Sequence, residues 1–261
     1  MKWGAKILKN NVKEYNYSYF CSLKFYSEMA SLYLIPSPLG ESGFEKVFPT
    51  FNSQIINEID FYIVEDVRTE RRFLKQLGIQ KPIDELTFFH LDKHAKDLNV
   101  SEFLQPCLQG QNVGLLSEAG VPCVADPGNR VVAEAHRLGI KVVPLIGPCS
   151  IILALMASGF NGQNFAFHGY LPAEQPDRER KLHQLENDIL KRKQTQIFIE
   201  TPYRNNHIFN SILTVLSPNL RLCVAANLTT EEEFIQTKTI AQWRKQPLDL
   251  HKQPAIFLLY V

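Results

Sequence analysis

Residues 114–131 read GLLSEAGVPCVADPGNRV, and their order decides the fold. Val113–Leu116 is an apolar run of strand length. Ser117–Pro122 is a loop of small, acidic and proline residues, and Asp126-Pro127-Gly128 reads as a helix start, with Asp126 as N-cap and Pro127 at the first helical position. A strand that passes through such a loop into a helix is one half of a parallel βαβ unit.

Outward from this stretch the alternation repeats. Strands are expected at Leu32–Ile35, Phe61–Val64, Thr87–His90, Val113–Leu116 and Lys141–Leu145. Helices are expected near Thr50–Ile59, Val67–Leu77, Ser101–Leu108 and Pro127–Leu138, with Asp66 as an N-cap and Gly78 and Gly139 closing helices. Alternation of this kind predicts a mainly parallel five-stranded sheet covered by helices on both faces. An apolar helix, Ile151–Ser158, follows, and Gly169-Tyr170-Leu171-Pro172 reads as a hinge or linker. Beyond it come a charged helix (Asp177–Lys193), a strand (Gln196–Glu200), a helix (Arg204–Leu216) and strands at Leu220–Ala226, around Phe234–Lys238 and at Ala255–Tyr260, which predicts a mixed sheet. The fold class expected is therefore α/β, in two α/β domains. The boundaries are an extension over 1–30, a first domain over 31–147 and a second over 148–261, with a hinge near 147–172. Residues 1–28 are rich in Lys, Asn and Tyr without an apolar period; the expectation is that Met29 is the start, a docking extension being the alternative.

Composition narrows the class. With 45% hydrophobic and 21% charged residues the chain is that of a globular protein, and its formal charge of +1 neither demands nor excludes a nucleic-acid partner. No run approaches the ~18 apolar residues of a membrane helix. The cysteines (Cys21, Cys107, Cys123, Cys149, Cys223) are scattered and read as reduced cytosolic thiols, and the histidines (His90, His94, His136, His168, His183, His207, His251) lack metal-ligand spacing. A cytoplasmic protein with no metal and no membrane contact is expected.

Ligands of open α/β sheets bind beyond the carboxyl ends of the strands. Here those ends carry Pro36-Ser37-Pro38-Leu39-Gly40, Glu65-Asp66-Val67-Arg68, Ser117–Pro122 and Gly147-Pro148-Cys149-Ser150. Singly each is a cap or turn; together on one edge they predict a pocket. There is no Gly-x-Gly-x-x-Gly, no P-loop and no nucleophile elbow. What remains are loops that bring bare backbone close to a ligand.

Ser117-Glu118-Ala119-Gly120-Val121-Pro122 with Asp126-Pro127-Gly128 resembles the Ser-Asp-Ala-Gly-Thr-Pro…Asp-Pro-Gly segment of the ribosomal-RNA branch of the tetrapyrrole methylase superfamily. Further matches follow in chain order. Glu65-Asp66-Val67-Arg68 is similar to Glu-Asp-Thr-Arg, Gly147-Pro148-Cys149-Ser150 to Gly-Pro-Ser, and Gly169-Tyr170-Leu171-Pro172 to Gly-Phe-Leu-Pro. Glu200-Thr201-Pro202-Tyr203-Arg204 is similar to Glu-Ser-Pro-His-Arg, and Asn227-Leu228-Thr229 with Glu232 and Glu233 to Glu-Leu-Thr-Lys with trailing acids. Departures mark a divergent paralogue. Phe44 replaces the acid of the first loop, and Glu118, Val121, Ala125 and Asn227 stand where the family usually has Asp, Thr, Ser and Glu.

The resemblance implies two α/β domains with S-adenosyl-L-methionine folded into the cleft between them, in a methyltransferase that acts on a ribose 2′-hydroxyl of ribosomal RNA in the small ribosomal subunit and usually works as a homodimer. By similarity, Ser117, Glu118, Ala119, Gly120, Val121, Gly147, Pro148, Leu171 and Ala226 would surround the cofactor. A ribose hydroxyl also needs its proton accepted, and Glu65, Asp66, Glu118, Glu200 and Tyr203 are the groups available, with the Glu65/Asp66 pair favoured and Arg68 pairing an acid or gripping phosphate. For Asp66 the structural alternative is an N-cap, for Glu200 a sheet-end carboxylate capping the Arg204 helix. Arg68, Arg71, Arg72 and Lys75 share one helix and offer a basic face to RNA. A methyltransferase of small molecules such as tetrapyrrole precursors, or a non-catalytic ligand-binding relative, are the competing readings.

Overall fold

The computed structural model describes residues 30–92 and 99–261; the expectations for Cys21, Met29, His94 and the extension preceding residue 30 fall outside them. The first sheet contains β1 (Ser31–Ile35), β2 (Phe61–Val64), β3 (Thr87–His90), β4 (Val113–Leu116) and β5 (Lys141–Pro144). All pairs are parallel and the order is β3-β2-β4-β1-β5. Every residue of β4 is buried, because a central parallel strand is covered on both faces and so reads as an unbroken apolar run. The helices between the strands are α1 (Phe44–Val47), α2 (Thr50–Asn57), α3 (Val67–Leu77), α4 (Val100–Phe103), α5 (Gln105–Leu108) and α6 (Asn129–Arg137). They cover the sheet with two apolar layers, one built around Ile35, Ile56, Tyr62 and Leu74, the other around Leu32, Ile63, Leu104 and Val131.

The second sheet is mixed, as its polar strands implied. It comprises β6 (Phe165–Tyr170), β7 (Thr195–Ile199), β8 (Arg221–Ala226), β9 (Phe234–Thr239) and β10 (Ala255–Tyr260) in the order β6-β7-β10-β8-β9. Only the β6–β7 pair is parallel. Helix α7 (Ser150–Ser158) covers one face through Ile151, Ala154 and Leu155. The other face is covered by α8 (Gln175–Arg192), α9 (Asn205–Val215) and α10 (Ile240–Lys245). Trp243 is fully buried there, with its indole N–H donating to Leu222 O at 2.9 Å.

Three local expectations are corrected. Helix α6 starts at Asn129 with Gly128 as its N-cap (φ 118°) and no side-chain cap, so Asp126 does not cap it and Pro127 is not its first residue. Gly169 and Tyr170 end strand β6 rather than forming a linker. The helix expected over Ser101–Leu108 is two short ones, broken at Leu104, where Pro106 follows two residues later. Elsewhere the local signals hold: Asp66 caps α3 by accepting from Thr69 N at 2.6 Å, and Gly78 closes it in the left-handed region.

Candidate functional site

Because β1 and β4 are neighbours, the loops leaving their carboxyl ends meet. Ser37 and Gly120 form an isolated antiparallel bridge, Ser37 N donating to Gly120 O at 2.8 Å and Gly120 N to Ser37 O at 2.9 Å. Gly120 has φ 77°, and a Cβ there would lie 3.1 Å from Leu39 Cδ2 and 3.3 Å from Pro148 O. The loops after β1, β4 and β5 therefore pack backbone to backbone, and glycine is needed for that approach. Gly147 tightens it further: a Cβ on it would sit 2.2 Å from Pro36 Cγ.

Beside this knot lies a pocket of about 1160 Å³. Its first-sheet side is the loop from Ser37 to Phe44, one face of α3 (Thr69, Glu70, Arg72, Phe73, Gln76), and Glu118 with Ala119. Its second-sheet side is Asn227, Thr229–Glu232 and Pro254. The first loop abuts the second-sheet loop closely, since a Cβ on Gly40 would lie 2.8 Å from Thr230 Cγ2. A second, narrow pocket of about 40 Å³ is lined by Ala119–Val121, Val124, Ala125, Cys149–Ile151, Phe167 and Ile199. Ala119 belongs to both walls.

Polar atoms in the large pocket are unusually uncommitted. Among the described residues, the buried side-chain polar atoms without a hydrogen-bond partner are Ser37 Oγ, Ser42 Oγ, Glu70 Oε2, Thr229 Oγ1 and Asn205 Oδ1. The first four of these residues line the pocket. Stranding such an atom costs roughly 1–3 kcal/mol, so clustering of this kind marks a surface shaped for a polar occupant.

Carboxylates crowd the same edge. Glu70 is 2% exposed; burial, then the charges of Glu118, Asp66, Asp126 and Glu65, push its carboxyl up to about 8. Asp126 is raised to about 7, chiefly by burial; its hydrogen bond from Ser117 opposes this, and its hydrogen bond with Glu65 adds to it. Asp66 is held below the usual carboxylate range, first by the Thr69 backbone N–H. Among the described residues, no group of three or more His, Cys, Asp or Glu side chains is arranged to hold a metal ion.

The expected site residues separate into groups. Ser117 is fully buried, its hydroxyl donating to Ala119 O at 3.2 Å and its backbone N–H to Ile35 O at 3.2 Å. Glu118 and Ala119 line the large pocket, and Ala119, Gly120 and Val121 line the narrow one. Gly147 and Pro148 back the knot. Leu171 and Ala226 are buried in the apolar core of the second sheet and line neither pocket. Glu65, Asp66 and Arg68 stand at the end of β2 and the start of α3, outside the lining of both pockets. Glu200 accepts from Thr201 N at 2.6 Å and from Arg204 Nε and Nη2 at 3.0 and 2.6 Å, so it holds an ion pair rather than capping the helix, which has no side-chain cap. Glu70 was not among the candidates; its only sequence signal is one acid in a charged helix.

Comparisons with known proteins bear on the family and the fold. A family model described as Tetrapyrrole (Corrin/Porphyrin) Methylases matches residues 54–243. The chain is 33% identical over 211 residues to Ribosomal RNA small subunit methyltransferase I of Vibrio cholerae, covering 81% of this chain and 69% of that protein. It is 32% identical over 220 residues to the protein of the same name from Haemophilus influenzae, covering 84% and 73%. The solved structure of the methyltransferase CobJ superposes with a TM-score of 0.60 at 16% identity, over 88% of this chain and 94% of that one, a likeness of fold. With the family model spanning well over half of its length, the chain belongs to the tetrapyrrole (corrin/porphyrin) methylase family.

Proposed function

We infer that the protein transfers a methyl group from S-adenosyl-L-methionine to a ribose 2′-hydroxyl of small-subunit ribosomal RNA. The observation that carries this reading is the large pocket, in which uncommitted polar atoms sit beside a backbone knot of the β1, β4 and β5 loops; the names of the relatives point to the same substrate. The residues present fit the cofactor: Ala119 is small, exposed and part of both pocket walls, and the hydroxyls of Ser37 and Thr229 have no other partner. When bound, the cofactor supplies an electrophilic methyl group. Ser117–Val121, Gly147 and Pro148 would hold it by backbone and small side chains. At about 1160 Å³ the pocket exceeds the 300–1,000 Å³ range typical of single-ligand sites, which leaves room for a nucleotide beside it.

The RNA side of the reading rests on charge. Arg72 and Lys46 line the pocket, and Arg68 and Lys75 are exposed on the same helix as Arg72. Their task would be to neutralise phosphates while the loop holds the hydroxyl in line with the methyl donor, since orientation supplies much of the acceleration in such transfers. Ile146, Ile152 and Met156, 76%, 43% and 74% exposed, give the β5 loop and α7 an apolar surface that supports a homodimer. Among the described residues no helix is long and apolar enough to cross a membrane. The working location that follows from the substrate is the cytoplasm.

The test is direct. Purified protein is incubated with radiolabelled S-adenosylmethionine and small ribosomal subunits isolated from cells lacking it. Label in the RNA, resistant to alkaline hydrolysis at one linkage, is the expected result. Label appearing instead in a small-molecule extract, or no cofactor binding by calorimetry at high micromolar concentration, overturns the reading.

A further inference from the structure

Of the glutamates that line the pocket, Glu41, Glu118, Glu231 and Glu232 are exposed and one, Glu70, is buried without an assigned task. Glu70 is 2% exposed, lines the pocket, and has an oxygen, Oε2, without a partner. The other acids nearby are committed or diluted by water. Asp66 caps α3, Glu65 and Asp126 are hydrogen-bonded to each other, and Glu118 is exposed. Resting on the function inferred above, we propose that Glu70 accepts the proton of the RNA hydroxyl that is methylated.

The step balances without a further reagent. The hydroxyl oxygen gains its bond to the methyl carbon, its proton passes to Glu70 Oε2, and the electron pair of the broken carbon–sulfur bond remains on sulfur. Glu70 must be the carboxylate at the outset and a stable acid afterwards. Its surroundings favour uptake of a proton: Glu65 and Asp66 from the end of β2, Glu118 from the loop after β4 and Asp126 from the loop before α6 all bring negative charge. Glu41, Glu231 and Glu232, and the cations Lys46 and Arg72, also line the pocket. A carboxyl whose affinity lies near 8 is matched to general-base work close to neutral pH, where an ordinary carboxylate near 4 is a weak acceptor. Ser42, which lines the same pocket, offers a hydroxyl that would hold the ribose in place.

The experiment compares wild type, Glu70→Gln and Glu70→Asp in single-turnover methyl transfer to small ribosomal subunits from pH 6 to 9.5. Binding of S-adenosylhomocysteine is measured alongside by calorimetry, and the carboxyl is titrated by carbon NMR of Glu-labelled protein. The wild-type rate should rise tenfold per pH unit and level off near 8, in step with a Glu carboxyl resonance that vanishes in Glu70→Gln. Glu70→Gln should transfer roughly 10²–10⁴-fold more slowly and lose that rise, with cofactor and RNA affinities within about threefold. Glu70→Asp, which keeps the acid but withdraws it by one methylene, should fall between. A Glu70→Gln rate within threefold of wild type, or an equal loss of binding and rate, overturns the role of Glu70 alone. Absence of transfer to RNA by the wild type overturns it together with the functional reading.

Discussion

Ser37 and Gly120 exchange both of their backbone hydrogen bonds, at 2.8 and 2.9 Å, although neither lies in a strand. This pair welds the loop after β1 to the loop after β4. Replacement of Gly120 by alanine must place a Cβ at φ 77°, 3.3 Å from Pro148 O and 3.1 Å from Leu39 Cδ2. Glycine-to-alanine at a left-handed position costs roughly 1–2 kcal/mol. Urea denaturation should show a loss of about that size, and calorimetry a weaker S-adenosylmethionine affinity. Unchanged affinity would place the cofactor away from this loop.

Asp126 gives the fold a pH dependence that local sequence does not suggest. Its carboxyl is near 3.8 in a free chain and about 7 in the folded protein, so the folded state holds the proton more tightly. The associated stability is complete below about 4 and is lost as pH rises through about 7. The difference in melting temperature between wild type and Asp126→Asn should therefore drift against the wild type across this window. A difference independent of pH would mean that Asp126 titrates normally.

Two arginines one residue apart on α3 should behave differently toward RNA. Arg71 is ion-paired with Asp84, whereas Arg72 is exposed and lines the pocket. In a plot of log affinity for ribosomal RNA against log salt, Arg72→Gln should reduce the slope by roughly 0.7, the contribution of one phosphate contact on single-stranded RNA. Arg71→Gln should leave the slope nearly unchanged. Equal effects would show that the whole helix face, rather than its pocket edge, meets RNA.

Glu200 is buried, and its charge is met by Arg204 and the Thr201 N–H. Removing the guanidinium strands a carboxylate at the end of β7. Arg204→Ala should destabilise the protein by roughly 1–3 kcal/mol, less than a fully buried pair because Arg204 is partly solvated. Chemical denaturation measures this. Methyl-transfer activity per folded molecule should persist, which separates the structural role from a catalytic one.

Most of the first sheet was readable because buried parallel strands are apolar runs, and Val113–Leu116 is one without interruption. The Asp66 cap is readable because it lies within four consecutive residues, Asp66 to Thr69. Strand β6 was missed because Gly169 and Pro172 gave turn signals at its end, which outweighed the apolar Phe165 and Phe167. Asp126 was misread for a related reason: Asp-Pro before a helix resembles a cap, but Gly128, at φ 118°, turns the chain first. Glu70 was invisible for a different cause. In Thr69-Glu70-Arg71-Arg72 it looks like part of a solvated face, and only the tertiary fold leaves it 2% exposed. The chemistry of the pocket thus arises from tertiary placement, while its scaffold was legible in local pattern.

The uncommitted oxygens of Ser37, Ser42, Glu70 and Thr229 also bear on inhibitor design. An apolar compound with the right outline would leave those already buried atoms with nothing to bond to, whereas a polar group that reaches one could recover roughly 1–3 kcal/mol. Shape matching alone is therefore a poor guide to binders of this pocket. Polarity filters its occupants first, and compounds that mimic a sugar or a phosphodiester start with an advantage that no aromatic scaffold can match by area.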